Sequence, residues 1–261
     1  SSTEVNRATS YASWNWVANG GTTASNTDGS ITSTVQANTL SGFSITQYVG
    51  TSSNATVGHG LGQKPDWVML KNLDQSSAGS GDWMVWHKDI ANTEYLSIND
   101  TDGKATLATA WNSTSPTSSV ISIGTATRTN NSGDDHIIYA WHEVDGFSKF
   151  GSYTGNGSSD GTFVATNFSP SFVMVKRTDS AGYDWQIWDT KRSPINPSTN
   201  QALFPNGTSA EGGTSTLDIL SNGFKWRSNG AWLNANGGTY IFMSFAEHPF
   251  VGDGTSPVTA R

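Results

Sequence analysis

An internal repeat limits the choice of fold more than any other feature of the sequence. Five short blocks occur twice, in the same order, about 100 residues apart. The paired blocks begin at residues 42 and 146, 48 and 153, 65 and 170, 82 and 184, and 137 and 241. Because this spacing exceeds that of a solenoid repeat and suits a small domain, the sequence predicts two copies of one unit, at residues 42–145 and 146–250.

The repeated blocks have the character of β-strands. They are short, rich in β-branched and aromatic residues, and bounded by Gly, Asn, Asp and Pro. Asn-Gly pairs at residues 156–157, 206–207 and 229–230 favour tight hairpin turns, and no window combines a helical apolar period with capping residues. We therefore predict an all-β fold of two tandem β-sandwiches, each a jelly roll of the concanavalin-like lectin kind.

Two further segments flank the repeats. Residues 1–41 do not form a full copy and are interpreted as the end of a preceding repeat or a linker. Within them, residues 11–16 are typical of a closing strand, and residues 30–35 alternate apolar and polar side chains as an edge strand does. Residues 251–261 are polar and are expected to form a loose tail. We expect the chain to be part of a longer protein with further repeats.

Composition excludes several classes of function. Hydrophobic residues make up 34% of the chain, yet there are 11 Trp residues, so aromatic rings should supply much of the core. The absence of Cys excludes disulfides, thiolate catalysis and cysteine-bound zinc. A formal net charge of -7 without a Lys/Arg run argues against a nucleic-acid partner, and no apolar stretch is long enough for membrane insertion.

Several of the repeated blocks, taken in their order, resemble those of a known family. The Gly-Phe-Ser block leads to Gly-His-Gly-Leu-Gly at residues 58–62 and then to the Pro-to-Lys strand at residues 65–71, and Trp-Asn-Trp at residues 14–16 precedes them. This order resembles a repeat of virion proteins of marine tailed bacteriophages, over about residues 11–250. The second copy departs from it, with Val-Ala-Thr-Asn-Phe at residues 164–168. The resemblance implies a tail fibre or another exposed appendage of the virion, and it brings no catalytic residues.

Two tryptophans are candidates for glycan binding. Alternation along a strand places Trp83 and Val85 on one face and Trp86 on the other. In the second copy it places Trp188 on the same face as the polar Gln186. A face that carries Gln186 should be the less buried one, so Trp86 and Trp188 are expected to be partly exposed. Exposed indole rings stack against sugar rings. The alternative is that both rings pack against a neighbouring unit or subunit.

Oxygen-rich turns supply weak candidates for a metal site. They contain Asp100, Asp102, Asp134 and Asp135. Ca²⁺ needs six or more oxygen ligands, which several loops would have to provide together. No other cofactor is expected. The alternative is that these are ordinary Asp-containing turns.

Three other polar residues are weaker catalytic candidates. Glu143 and Asp145 lie two residues apart at the end of a strand, where they could form the carboxylate pair of a glycosidase. A turn after the strand is the alternative, and the second copy has no matching Asp. His59 lies between glycines without a second ligand nearby, so we expect a structural role for it.

These observations lead to one hypothesis and two alternatives for the function. We expect a virion structural protein, a segment of a tail fibre or surface appendage, that binds host-surface glycans or acts as a spacer. Its partners would be other virion proteins and copies of itself in a homo-oligomer, for which a trimer is one option. The alternatives are a glycan-degrading enzyme that uses Glu143 and Asp145, and a capsid decoration protein.

Overall fold

The computed structural model shows a fold built almost entirely from β-strands, which confirms the all-β prediction. It describes residues 11–19, 21–77, 79–196, 198–199, 201–212 and 216–248. The first half of the chain contains β1 (Ala24–Asn26), β2 (Ser33–Asn38), β3 (Phe43–Val49), β4 (Ala55–Gly58), β5 (Trp67–Asn72), β6 (Met84–His87), β7 (Glu94–Ser97), β8 (Ala105–Thr106), β9 (Val120–Ile123), α1 (Thr127–Asn130) and β10 (Asp135–Trp141). The second half contains β11 (Ser148–Thr154), β12 (Phe163–Ala165), β13 (Pro170–Arg177), β14 (Gln186–Asp189), β15 (Ser198–Thr199), β16 (Thr216–Leu220), β17 (Gly223–Trp226) and β18 (Thr239–Ala246).

The first half is a sandwich of one large and one small sheet. The large sheet has eight strands in the order β1-β2-β3-β10-β5-β6-β7-β8, and β4 pairs with β9 separately. Every pairing in these two sheets is antiparallel. Val57 of β4 and Ile121 of β9 share an apolar core with Val68 and Leu70 of β5, so the small sheet covers one face of the large one.

The second half repeats this arrangement. Its sheets have the orders β11-β18-β13-β14 and β12-β17-β16-β15, and the first of these corresponds to β3-β10-β5-β6. The register agrees as well, because Trp141 lies opposite Trp67 in the first half and Phe245 lies opposite Phe172 in the second. The paired sequence blocks therefore fold into strands at matching places. The jelly-roll topology and the boundaries at residues 42, 146 and 250 stay predictions.

Buried polar side chains make matching hydrogen bonds in the two halves. Asn130 Nδ2 donates to the carbonyl oxygens of residues 53 and 124, and Asn234 Nδ2 donates to those of residues 158 and 228. The hydroxyl of Tyr48 donates to the carbonyl oxygen of residue 129, next to Asn130. The hydroxyl of Tyr153 donates to the carbonyl oxygen of residue 233, next to Asn234. The two halves therefore satisfy their buried loop backbone in one common way.

Three apolar cores connect four layers of sheet. One core lies inside each half, and a central core lies between the large sheet of the first half and the β11-β18-β13-β14 sheet of the second. Some strands of these two inner sheets, such as β6 and β14, are consequently buried on both faces. In β6, for example, Val85 enters the central core while Met84 and Trp86 enter the core of the first half, as strand alternation requires.

Predictions for the flanking segments meet mixed results. Residues 11–16 form no strand, so the closing-strand prediction is wrong. The strand predicted at residues 30–35 is present in part, since β2 begins at Ser33, but the edge position is wrong because β2 pairs with β1 on one side and β3 on the other. The tail prediction for residues 251–261 lies outside the described residues. In the described part of the chain, no helix has the length and apolar character needed to cross a membrane.

Candidate functional site

The two halves pack against each other through equivalent faces of their inner sheets. In the first half this face carries Trp67, Val85 and Trp141, and the equivalent positions of the second half carry Phe172, Ile187 and Phe245. Contact of a face with its own counterpart is the geometry of an isologous interface between two subunits. Here both faces belong to one chain.

At one end of this interface a tryptophan of the second half fills the space between the two faces. The indole of Trp185 is fully buried, with its ring centroid 5.9 Å from that of Trp67, and its Nε1 donates a hydrogen bond of 2.8 Å to the carbonyl oxygen of Ser97 in the other half. Three backbone hydrogen bonds also cross between the halves, from Lys104 N to Thr178 O at 2.8 Å and from Gly182 N and Tyr183 N to Thr101 O at 2.9 and 3.2 Å. This end therefore joins the two halves firmly.

At the other end the same faces separate and leave a cleft of about 480 Å³. Its lining consists of Trp14, Asn15, Trp16, Phe43, Ile45, Met69, Trp83, Ile98, Tyr139, Trp141, Phe172, Met174, Ile187, Pro205 and Met243, which we call the aromatic cleft. No Asp, Glu, Lys, Arg or His belongs to this described lining. The aromatic cleft is therefore apolar over most of its walls and carries no formal charge.

Side-chain size explains why one end is packed and the other is open. Trp83 occupies the position in its half that Trp185 occupies in the other, yet Trp83 is partly exposed while Trp185 is fully buried. Trp185 lies against Trp67, which in turn lies next to Phe150. The positions equivalent to Trp67 and Phe150 at the Trp83 end are occupied by the smaller Phe172 and Ile45, which leave the space that forms the cleft.

The segment of residues 11–19 covers part of the open end. The ring of Trp16 makes T-shaped contacts with Phe172 of the second half at 5.8 Å and with Trp141 of the first half at 6.1 Å. Trp14 adds a T-shaped contact with Phe172 at 5.7 Å. The Trp-Asn-Trp motif therefore contacts both halves, and it leaves the side chain of Asn15 exposed beside the cleft.

Trp83 is held in place by a hydrogen-bonded clamp. Its backbone N donates to Asn99 Oδ1 at 2.9 Å, and Asn99 Nδ2 donates to Asp82 Oδ1 at 2.9 Å. In the second half, Asn206 links Trp185 N and Asp184 in the same way, at 2.9 and 2.7 Å. The repeated Asp-Trp block thus fixes the backbone of one Trp in each half. Of these two residues, only Trp83 belongs to the lining of the aromatic cleft.

The predicted exposure of Trp86 and Trp188 is wrong. Each is only 1% exposed, because Trp86 lies in the core of the first half and Trp188 in that of the second. Gln186 is buried as well, at 4% exposure, since the outer sheet covers the face that its polar side chain had suggested to be open. A sugar ring cannot stack on either indole while the sandwiches are intact.

The four candidate Ca²⁺ ligands do not gather into a site. Among the described residues, no group of three or more His, Cys, Asp or Glu side chains is arranged to hold a metal ion. Asp134 instead accepts hydrogen bonds from the amides of Gln75, Asn72 and Asn131, and these hydrogen bonds lower its pKa. Asp135 lies at the start of β10 and is exposed. Amide donors therefore occupy the positions around Asp134 that a cation would need.

Asp100 and Asp102 lie near a buried lysine, which also disfavours a cation. The ammonium group of Lys176 is fully buried, donates to the carbonyl oxygen of Tyr183 at 2.5 Å and lies 5.9 Å from the ring centre of Trp185. Burial lowers the pKa of Lys176 to about 8, although the carboxylates of Asp100 and its neighbours act in the opposite direction. Burial also raises the pKa of Asp100.

Glu143 is engaged in ion pairs rather than poised for acid catalysis. It lies beyond the end of β10 and is paired with Lys149 at 2.5 Å and Lys88 at 3.2 Å. Burial opposes its ionisation, but these two ammonium groups outweigh burial and hold its pKa below the ordinary value. A general acid of a glycosidase needs a raised pKa. Asp145 is exposed in the turn that follows.

His59 is a buried structural residue. Its Nδ1 accepts a hydrogen bond from Leu61 N at 3.3 Å, and its Nε2 lies 3.2 Å from the carbonyl oxygen of Thr117. Burial lowers its pKa to about 4, so the imidazole is neutral at pH 7. The glycines on either side of Leu61 have φ values of +70°, which supports the expected turn.

Residues of the aromatic cleft were not recognised as a site from the sequence. Alternation placed Trp83 on the correct face of its strand, opposite Trp86, but it gave no indication that the face was only partly covered. The available signal was the Trp-Asn-Trp motif at residues 14–16, whose aromatic side chains lie outside both repeats. Their contact with the interface depends on the arrangement of the two halves, which no local pattern encodes.

Comparison with known proteins gives one match. Residues 1–249 match the family described as Domain of unknown function (DUF7483). No curated protein and no solved structure matches the chain.

Proposed function

We propose that this chain, which belongs to the DUF7483 family, is a segment of a virion surface appendage such as a tail fibre. In this role the two halves act together as one rigid spacer, and the segment also contributes to adhesion at the host surface. The resemblance of the repeated blocks to those of phage virion proteins supports the location. The shared central core supports the mechanical role.

The joint between the halves carries the proposal. A spacer has to keep its length and direction, and two domains on a flexible linker do not do so. In this chain Trp185 of the second half is buried against Trp67 of the first. Its Nε1 donates a hydrogen bond across the interface to the carbonyl oxygen of Ser97. The halves cannot move relative to each other without breaking these contacts and exposing aromatic surface to water.

Immunogold labelling of purified particles tests the location. Antibodies raised against the chain are applied to particles of the phage that encodes it, and labelling along a tail fibre or another appendage is expected. Labelling of the shell would instead support the capsid decoration alternative and overturn the appendage proposal. Absence of the chain from particles by mass spectrometry would overturn both.

Hydrolysis of marine polysaccharides tests the enzyme alternative. We expect no new reducing ends, because Glu143 is ionised and bound to two lysines. The matched control is Glu94→Gln, because Glu94 lies on β7 and its carboxylate is paired with a different lysine, Lys104. Turnover that is abolished by Glu143→Gln and retained in Glu94→Gln would contradict the structural role.

A further inference from the structure

We propose that the aromatic cleft binds one ring of a neutral saccharide, stacked on the indole of Trp83. This inference rests on the adhesive part of the proposed function and assigns a site and a ligand class to it. It replaces the stacking once expected at Trp86 and Trp188, whose rings are buried.

The size and position of the cleft suit a small ligand. Its volume of about 480 Å³ lies within the range of roughly 300–1,000 Å³ that is usual for small-molecule sites. It lies between two domains of one chain, where such sites are common. The equivalent end of the same interface is filled by Trp67 and Phe150 against Trp185. At the open end, Ile45 occupies the position at which the packed end has the aromatic ring of Phe150.

Trp83 and Tyr139 offer a preorganised platform. Their ring centroids are 5.8 Å apart with an angle of 30° between the planes, and Tyr139 is in turn stacked on Phe43 with an angle of 2°. Both rings are partly exposed. The clamp through Asn99 fixes the backbone of Trp83, and the contact with Tyr139 holds its indole ring, so little conformational entropy is lost when a ligand ring stacks on it.

Polar groups at the cleft favour a neutral, hydroxylated ring over other ligands. Three lining residues carry polar groups, namely the indole N–H of Trp83, the hydroxyl of Tyr139 and the amide of Asn15. The first two groups have no hydrogen-bond partner among the described residues, and the exposed Asn15 amide donates to Ser13 Oγ at 3.1 Å. A pyranose combines an apolar C–H face with hydroxyls at its edge, which matches an aromatic floor with a few polar groups. The described lining contains no charged group. The guanidinium of Arg192 lies 5.8 Å from the ring centre of Trp14, but it is already paired with Asp189 and Glu211, so it is not a free partner for a carboxylate or sulfate of an acidic sugar.

Binding of defined oligosaccharides to the full chain tests the inference. The probes are neutral hexasaccharides of β-1,3-glucan, β-1,4-glucan, α-1,4-glucan and mannan, an alginate hexasaccharide as the acidic comparison, and 8-anilinonaphthalene-1-sulfonate as an apolar probe. Binding is measured by saturation-transfer NMR and calorimetry at up to about 10 mM saccharide, which detects a millimolar Kd. We expect at least one neutral probe to bind, and Trp83→Ala to weaken it at least about tenfold.

Matched variants separate a local effect from loss of folding. Trp232→Ala removes an exposed indole outside the cleft and should leave the affinity unchanged. Ile45→Trp adds the missing ring volume to the cleft and should weaken binding while the near-UV circular dichroism stays native, which provides a second test if Trp83→Ala fails to fold.

Two results would overturn the saccharide inference. They are the absence of binding by every neutral probe, with or without binding of the apolar probe, and equal affinity of the wild type and both cleft variants. Neither of them affects particle labelling, so an appendage location with an empty cleft would refute this inference while the structural proposal stands.

Discussion

Replacing Asn130 or Asn234 with Ala should cost nearly the same free energy of unfolding. Both side chains are fully buried, donate to two backbone carbonyls and accept one backbone N–H, from residue 51 or 156. Each also makes side-chain hydrogen bonds, Asn130 with Thr51, and Asn234 with Asn156 and Thr162, but none of these partners is buried, so water can replace them. A net loss of about 1 kcal/mol for each of the three backbone hydrogen bonds gives about 3 kcal/mol for either substitution. The loops that carry residues 51–53 and 156–158 are exposed, so water can reach some freed groups and keep the cost near this value.

Urea unfolding at pH 7, followed by tryptophan fluorescence and far-UV circular dichroism, measures the cost. Asn54→Ala in the first half and Asn229→Ala in the second are matched controls, because both side chains are exposed, and each should change stability by less than about 0.5 kcal/mol. A loss of about 3 kcal/mol in one half with a loss below about 1 kcal/mol in the other would refute the claim that the two loops are equivalent in energy as well as in geometry.

The remaining predictions concern the interface between the halves. Unfolding of the whole chain should show one transition by both probes, because the central core belongs to both halves; two separated transitions would contradict this. Trp185→Ala should lower the free energy of unfolding by about 4 kcal/mol, the usual cost of removing a buried aromatic ring. In the same urea titration, Trp83→Ala should lower it clearly less, because Trp83 is partly exposed. For Lys176, the unfolded chain binds the proton between pH 8 and its ordinary pKa of 10.5 while the folded chain releases it, so stability should rise with pH in this window. The rise should be absent in Lys176→Met when measured between about pH 8 and 9, below the range around pH 10 where ionisation of tyrosines in the unfolded chain adds its own effect.

The sequence predicted the strands better than the exposure of their faces. Alternation correctly separated Trp83 from Trp86, because side-chain direction along a strand is a local property. The exposure of Trp86 was mispredicted because the second layer is supplied by β4 and β9, which lie far from β6 in sequence and carry no signal that they cover it. Gln186 misled for a related reason, since a single polar residue in a strand is accommodated in a core when the layers on either side are complete.

The candidate site was beyond prediction for a stronger reason. The cleft arises from a difference between two nearly equivalent ends of the interface. Trp67 and Phe150 occupy the packed end, and the smaller Phe172 and Ile45 occupy the equivalent positions at the open end. Each of these residues is unremarkable as a core residue in its own strand. Only the arrangement of one half on the other turns the smaller pair into an opening, and that arrangement depends on many weak contacts over a long sequence separation.

The like-with-like contact of the two inner sheets has a consequence for how such copies can be strung together. An isologous contact uses the same patch on both members and is then saturated, so no third copy can attach through this face. Any longer molecule made from these copies would therefore contain them in pairs. A different surface of the copies would have to link one pair to the next. A lone copy would leave a broad aromatic sheet in water, and an odd number of copies would be expected to recruit a partner from a neighbouring chain.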